Sequence, residues 1–363
     1  MKIFEQTQFA GLTLKNRLWR SATWLQLADE KGHLSPELIR RYEELAEGGV
    51  GTIITGYAHV MENEQPNAGM MGIYSDDFIE EYKPFVKRIH DLGANLVMQV
   101  CYGGSSTRYQ TEGRIIFGPS AVENPASGVT PKEMTLEDIK TVVDAYAQSA
   151  RRVKEAGFDG VQLHAAHGYL YSQFLTPYFN RRTDAYGGTI ENRARIIFET
   201  LEAVRKEVGP DYPVLIKMHS TDEWPGQGLT IDESLWVSRE LEKRGITAIE
   251  FSGGNPHPDN KNKGAIRKGI LKHENQAYFK NPTKYIAAHL SIPVISVGGH
   301  RDVAFMEQIL NQSNISYFSM SRTLHSEPNL PSKWQLDPDY IPRCVGCIKC
   351  WASGGNICVL DRQ

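Results

Sequence analysis

The sequence predicts an α/β fold, a single (β/α)8 TIM barrel with an N-terminal hairpin and a short Cys-rich C-terminal tail. Three observations predict it. Eight short apolar runs recur along the 363 residues. Amphipathic helical patterns lie between them, which means parallel strands joined by helical crossovers. No GxGxxG opens a first crossover, which counts against an open dinucleotide-binding sheet. Periodicity does not itself separate a closed barrel from an open sheet; the count of eight units favours closure.

The runs, rich in Val, Ile and Phe, cover residues 17–24, 50–57, 95–102, 160–165, 214–220, 247–253, 293–299 and 316–322. Helical patterns fall at 76–92, 136–156, 190–208, 231–244 and 302–310. In the second of these, Ile139, Val142, Val143, Tyr146, Ala150 and Val153 recur at about 3.6-residue spacing, and Gly157 is placed to end the helix. Residues 1–16 are expected to form the hairpin, residues 1–328 the barrel, and 329–363 a Cys-rich tail packed on or beside it. Three connections, 103–135, 167–188 and 253–275, exceed the usual βα loop of roughly two to six residues. Long loops at the C-terminal ends of barrel strands build active sites. The third carries Lys261, Lys263, Arg267, Lys268 and Lys272, which suit either solvent or a cofactor phosphate.

Hydrophobic residues at 40%, charged residues at 23% and a net charge of −3 describe an ordinary globule. They give no reason to expect nucleic acid or an anionic membrane as partner. No apolar stretch approaches the roughly 18 residues of a membrane helix, and MKIFEQTQFAG has no signal-peptide core. The expected address is the cytoplasm. Of five cysteines, Cys101 stands alone, while Cys344, Cys347, Cys350 and Cys358 crowd together. Such spacing suits a metal or cluster better than a disulfide framework.

The fourth run ends in Leu163-His164-Ala165-Ala166-His167-Gly168-Tyr169. A zinc site at His164 and His167 lacks a third ligand nearby. The histidines are either satisfied in the core or form a pair that grips a substrate oxygen, with Tyr169 as proton donor. A phenol of pKa about 10 holds its proton at neutral pH and can pass it to a carbanion. The last two runs end in Gly298-Gly299 and Ser321-Arg322. These suit a phosphate site built from backbone N–H groups and a forked guanidinium, or the glycines make a tight turn. Lys217 and Gln99 lie inside strands, where a buried cation is costly unless it serves an anion. Beside a flavin, Lys217 would balance charge at N1 and O2, and Gln99 would meet the pyrimidine edge.

At these residues the sequence resembles the Old Yellow Enzyme family of FMN-dependent oxidoreductases. The likeness is strongest over 155–195, EAGFDGVQLHAAHGYLYSQFLTPYFNRRTDAYGGTIENRAR. The opening Leu14-Lys15-Asn16-Arg17 also fits, and weaker similarity runs to about residue 328. The resemblance implies that Ala22, Thr23, Tyr57 and Gln99 hold the isoalloxazine and that Lys217 faces N1 and O2. It places the phosphate on Gly298, Gly299, Ser321 and Arg322. It implies that His164 and His167 bind a carbonyl or nitro oxygen and that Tyr169 is the acid. The HxxH form leans towards bacterial enone reductases and oxophytodienoate reductases.

Two departures stand out. Trp24, expected to border the substrate, occupies a position where many members carry a smaller Thr, Cys or His. The tail spacing Cys344-x2-Cys347-x2-Cys350-x7-Cys358 is similar to that of 2,4-dienoyl-CoA reductase and trimethylamine dehydrogenase, whose [4Fe–4S] cluster relays electrons from further domains. Those domains are expected to be absent from a chain that stops at Gln363. The four thiols would hold a cluster, hold zinc, or be a metal-free remnant.

The implied activity is a ping-pong reduction of α,β-unsaturated carbonyl or nitro compounds by NAD(P)H through FMN N5. The rivals are a dienoyl-CoA-reductase-like enzyme fed by a partner through a tail cluster, and a non-catalytic flavin redox sensor. The sequence also allows a homo-oligomer.

Overall fold

The structure, a computed structural model, describes residues 1–110, 112–258, 263–350 and 358–361. Its centre is a ring of eight parallel strands: β1 (Leu18–Arg20), β2 (Thr52–Ile54), β3 (Asn95–Cys101), β4 (Gly160–Ala165), β5 (Val214–His219), β6 (Ala248–Ser252), β7 (Val294–Val297) and β8 (Ile315–Met320). Each pairs with the next, and β8 pairs back onto β1 through Phe318 with Leu18 and Met320 with Arg20, so the barrel closes.

A helix follows each strand: α1 (Pro36–Glu47), α2 (Asp77–Asp91), α3 (Leu136–Glu155), α4 (Arg195–Val208), α5 (Ile231–Lys243), α6 (Lys280–Ala287), α7 (Val303–Asn311) and α8 (Leu330–Leu336). Local chemistry sets their ends. Thr135 and Asp138 exchange side-chain-to-backbone bonds at the start of α3, as Thr230 and Glu233 do for α5. Gly157, at φ +90°, follows the end of α3. The pattern over 190–208 is not one helix. It divides at Ala194, where the buried Arg193 ties a first turn, Ile190–Arg193, to the carbonyls of Leu175 and Gly188 and to Glu233.

The eighth unit runs beyond residue 328. Leu330 and Trp334 of α8 are fully buried in the main core, and Ser332 Oγ donates to Gly48 O at 3.0 Å. The tail then folds back onto the barrel, with Arg301 Nη2 on Pro342 O at 2.9 Å and Arg343 N on Glu327 Oε2 at 2.7 Å. No helix among the described residues is long and apolar enough to cross a membrane.

Alternation along the strands divides the barrel interior into levels. At the N-terminal end, Trp19, Val97, Leu215, Ala248 and Tyr317 form an apolar plug with Phe9 and Leu14. The latter two come from the predicted hairpin, Thr7–Phe9 against Leu12–Leu14. The Phe9 ring stands edge-on to Trp19 and Tyr317, centroids 5.3 and 5.6 Å apart. Two residues further along the same strands stand Ser21, Gln99, Lys217, Glu250 and Ser319. One end is dry; the other is built for polar ligands.

Candidate active site

The polar level is a connected network. Glu250 Oε1 accepts from Ser319 Oγ (2.6 Å), Ser21 Oγ (2.7 Å) and Lys217 Nζ (3.2 Å). Its Oε2 accepts from Gln162 Nε2 (2.9 Å), and Gln162 Oε1 in turn accepts from Gln99 Nε2 (2.7 Å). Burial drives the Glu250 carboxyl up, but Lys217 and the three hydrogen bonds more than offset this and hold it below the ordinary carboxylate range. The floor is therefore an ion pair with a fixed hydrogen-bond shell.

Above it opens a cleft of about 400 Å³, within the range of roughly 300–1,000 Å³ usual for ligand pockets. Ala22, Thr23, Trp24, Tyr57, Gln99, His164, His167, Tyr169, Lys217, Gly298, Gly299, Ser321 and Arg322 all line it. All three long connections reach it, through Ser106, through Tyr169, and through Gly254, Pro256, Ile266 and Ile270.

His164, the penultimate residue of β4, has its ring 5.2 Å from that of His167 and 4.9 Å from that of Tyr169. His164 Nδ1 accepts from Ala166 N at 3.4 Å, which leaves the proton of a neutral ring on Nε2. His167 sits at φ +62°, a left-handed conformation that a non-glycine residue adopts at some cost. Its N–H is held by His219 Nε2 at 2.7 Å, and its own Nε2 meets Ser252 Oγ at 2.8 Å. Burial, then neighbouring positive groups, lowers both His164 and His167 well below the ordinary imidazole value. Burial with Lys217 beside it brings His219 to about 3. The imidazoles at this mouth are neutral hydrogen-bonding groups near pH 7.

Tyr169 O donates to Tyr57 O at 3.0 Å, and Asn67 Nδ2 reaches both hydroxyls, at 3.1 Å from Tyr57 and 3.2 Å from Tyr169. Burial raises both phenols, so they stay protonated across neutral pH. Trp24 packs against the cluster of Tyr57, Met70 and Cys101, its indole N–H on Ala68 O at 2.8 Å.

At the other end, Gly298 and Gly299 have φ of +109° and +77°. A Cβ on either would stand 2.7–2.8 Å from the Tyr278 ring, so only glycine fits beneath that ring. Thr23 Oγ1 donates to Ser321 Oγ at 2.8 Å, and Arg322 Nη1 donates to Arg267 O at 2.8 Å. Within the basic loop, Arg267 packs over Tyr278 and Phe279 at 5.0 and 4.8 Å and bridges to Glu223 at 2.8 Å. Lys263, Lys268 and Lys272 are exposed, and Lys261 lies outside the described residues.

One observation tests whether these residues suit a flavin. Gln99 Oε1 is buried without a hydrogen-bond partner, a costly state that a ring N–H would relieve. With the Lys217 cation beneath and the glycine cradle opposite, the donor set fits a ring with a phosphate tail.

The tail cysteines are arranged differently from the rest. Cys344 and Cys358 are buried, Cys347 and Cys350 half-buried, and burial pushes the Cys344 and Cys350 thiols up. Among the described residues no group of three or more His, Cys, Asp or Glu side chains is placed to hold a metal. Residues 351–357, between Cys350 and Cys358, lie outside those described.

A family profile described as the NADH:flavin oxidoreductase / NADH oxidase family matches residues 2–337. The chain belongs to that family. It is the Old Yellow Enzyme family whose motif lies at 155–195. Among curated members, the NADH oxidase of Thermoanaerobacter brockii is 31% identical over 350 residues, 95% of this chain and 52% of the relative. The NADPH dehydrogenase of Clostridium acetobutylicum is 30% identical over 328 residues, 90% of this chain and 93% of the relative. Among solved structures, a 2-naphthoyl-CoA reductase in complex with 2-naphthoyl-CoA superposes with a TM-score of 0.88 at 26% identity, over 95% of this chain and 54% of that one. The chain thus spans about half the length of several relatives it matches.

In this member of the NADH:flavin oxidoreductase family, four further residues complete the site. Glu250 and Gln162 complete the floor, His219 supports His167, and Asn67 joins the two tyrosines. Glu250 and His219 carried a readable signal, since each is a titratable residue inside an apolar strand run, as Lys217 is.

Proposed function

We propose that the chain is an FMN-dependent NAD(P)H oxidoreductase, acting in the cytoplasm, that reduces the C=C bond of α,β-unsaturated carbonyl or nitro compounds. One observation carries the reading: His164, His167 and Tyr169 converge on one cleft above the Lys217–Glu250 floor. When bound, FMN supplies the redox centre that takes hydride from NAD(P)H and passes it to the β-carbon. Gln99 would receive the ring N–H, Lys217 would balance negative charge on the reduced ring, and Ala22 and Thr23 would border it. Gly298, Gly299, Ser321 and Arg322 hold the phosphate. Neutral His164 and His167 donate to the substrate oxygen, stabilising the charge that grows there. Tyr169 then protonates the α-carbon, with Trp24 narrowing the space beside it.

The purified protein is expected to be yellow and to release FMN, not FAD, on heating. Without oxygen, NADH or NADPH should bleach it and cyclohexenone should restore the colour. Recovery of FAD, or bleaching that no alkene reverses, would defeat the reading and leave a redox sensor. His164→Ala should weaken phenolic ligands and cost about 2.7–4 kcal/mol in enone turnover while flavin stays bound. Unchanged rates on several enones would remove its anchoring role.

The relatives about twice this chain's length and the four tail cysteines favour one second reading, a dienoyl-CoA-reductase-like enzyme that receives electrons from a partner. Among the described residues the cysteines do not stand as a ligand set. Stoichiometric iron in anaerobically purified protein, with bleaching only when a partner is added, would favour this second reading.

A further inference from the structure

Asn67 lies in the connection from β2 to α2, and the backbone on both sides of it is tied down. Thr107 Oγ1 donates to Pro66 O and Trp24 Nε1 donates to Ala68 O, each at 2.8 Å. Arg114 Nη1 donates to Gln65 O at 2.9 Å, and Glu64 Oε1 accepts from Gly103 N at 2.8 Å. The stretch between the short strands Ala58–His59 and Met71–Gly72 is thereby pinned where the Asn67 carboxamide enters the cleft. That carboxamide nitrogen carries two hydrogens. It stands 3.1 Å from the Tyr57 oxygen and 3.2 Å from the Tyr169 oxygen, and the two oxygens are 3.0 Å apart.

We propose that Asn67 is a positioning residue for proton delivery, holding the Tyr169 hydroxyl in place and stabilising the phenolate left when its proton departs. The proposal rests on the ene-reductase reading above. In that step the electron pair of the substrate's carbanion takes the phenol proton, forming a C–H bond at the α-carbon. The Tyr169 O–H bond breaks, its electron pair stays on oxygen, and water later returns the proton. The phenolate forms in a buried place, among Cys101, Met70 and Trp24, where few solvent dipoles meet it. Asn67 supplies one fixed N–H, and the Tyr57 hydroxyl, relieved of the bond it accepted, can turn to supply a second. Two preset donors on one developing oxyanion follow the logic of an oxyanion hole, applied to the acid instead of the substrate.

The test follows flavin reoxidation by cyclohexenone in stopped flow, in the holoenzyme. Asn67→Ala should slow it roughly 10- to 100-fold, the worth of a hydrogen bond to a charged group. The nearly isosteric Asn67→Asp, which sets a carboxylate against the nascent phenolate, should slow it at least as much. Both should slow reoxidation by a nitroalkene less, because its nitronate can be protonated in water. In a Tyr169→Phe background, Asn67→Ala should add nothing. A merely structural Asn67 would slow flavin reduction and both reoxidations alike, and its effect would add to that of Tyr169→Phe; that outcome overturns the proposal. Wild-type rates in Asn67→Asp overturn it as well. A wild-type enzyme that no enone reoxidises removes the ene-reductase reading and, with it, the role of Asn67.

Discussion

Tyr169→Phe is expected to slow flavin reoxidation by cyclohexenone by roughly 10²–10⁴-fold, the usual worth of general-acid help, while flavin reduction by NAD(P)H stays near its normal rate. The substitution keeps the ring that packs beside Tyr57, centroids 5.3 Å apart, and removes only the hydroxyl. Hydride transfer from nicotinamide needs no proton from this side of the cleft, so only the second half-reaction should suffer. A nitroalkene should be affected less. Stopped-flow absorbance of the flavin separates the two halves. Equal slowing of both would mean that Tyr169 positions a ring, and no slowing with enones would mean that water or another group is the acid.

Lys217→Met should destabilise the protein by about 3–5 kcal/mol, because it leaves a buried carboxylate without its cation. Glu250 is fully buried, and Lys217 Nζ is the only cationic group on it, at 3.2 Å, among the described ion pairs. Its effect on pH dependence has a definite sign. A carboxyl whose folded pKa lies below its unfolded value contributes stability above the unfolded value, about 4.3 for Glu. That contribution is lost as pH falls through the lower folded value, the direction Glu250 shows. Removing Lys217 should raise the folded pKa of Glu250 and move acid unfolding to higher pH. The double variant Lys217→Met/Glu250→Gln should recover part of the loss, since neither charge then remains. Denaturation of the flavin-free proteins at several pH values checks both points; additive losses in the double variant would mean that the pair does not act as a unit.

What the sequence discloses follows from where regularity exists. Barrel strands covered on both faces read as apolar runs, so the alternation and the eight-unit count were visible. Helix α1 carries a readable signal: Ser35 caps it, Pro36 opens it, and Leu38, Tyr42 and Leu45 recur on one face. Helix α6 offered little, being eight residues long with Pro282 inside its first turn. Residues within the strands, such as His164 and Lys217, could be aimed into a cleft because strand register dictates their side. Glu250 obeys the same register and was legible by the same argument. Asn67 was not. It sits in an aperiodic loop, and its meaning depends on Tyr169, 102 residues away.

The plug at the base of the barrel ties together residues that a ribosome delivers at very different times. Phe9 and Trp19 emerge early, but the Tyr317 ring that completes their aromatic cluster follows about 300 residues later, as does the Glu307 carboxylate that receives the amides of Lys2 and Ile3. Until then the seat of the hairpin is incomplete. The packing of the N-terminal hairpin is therefore completed only after β8 has been made.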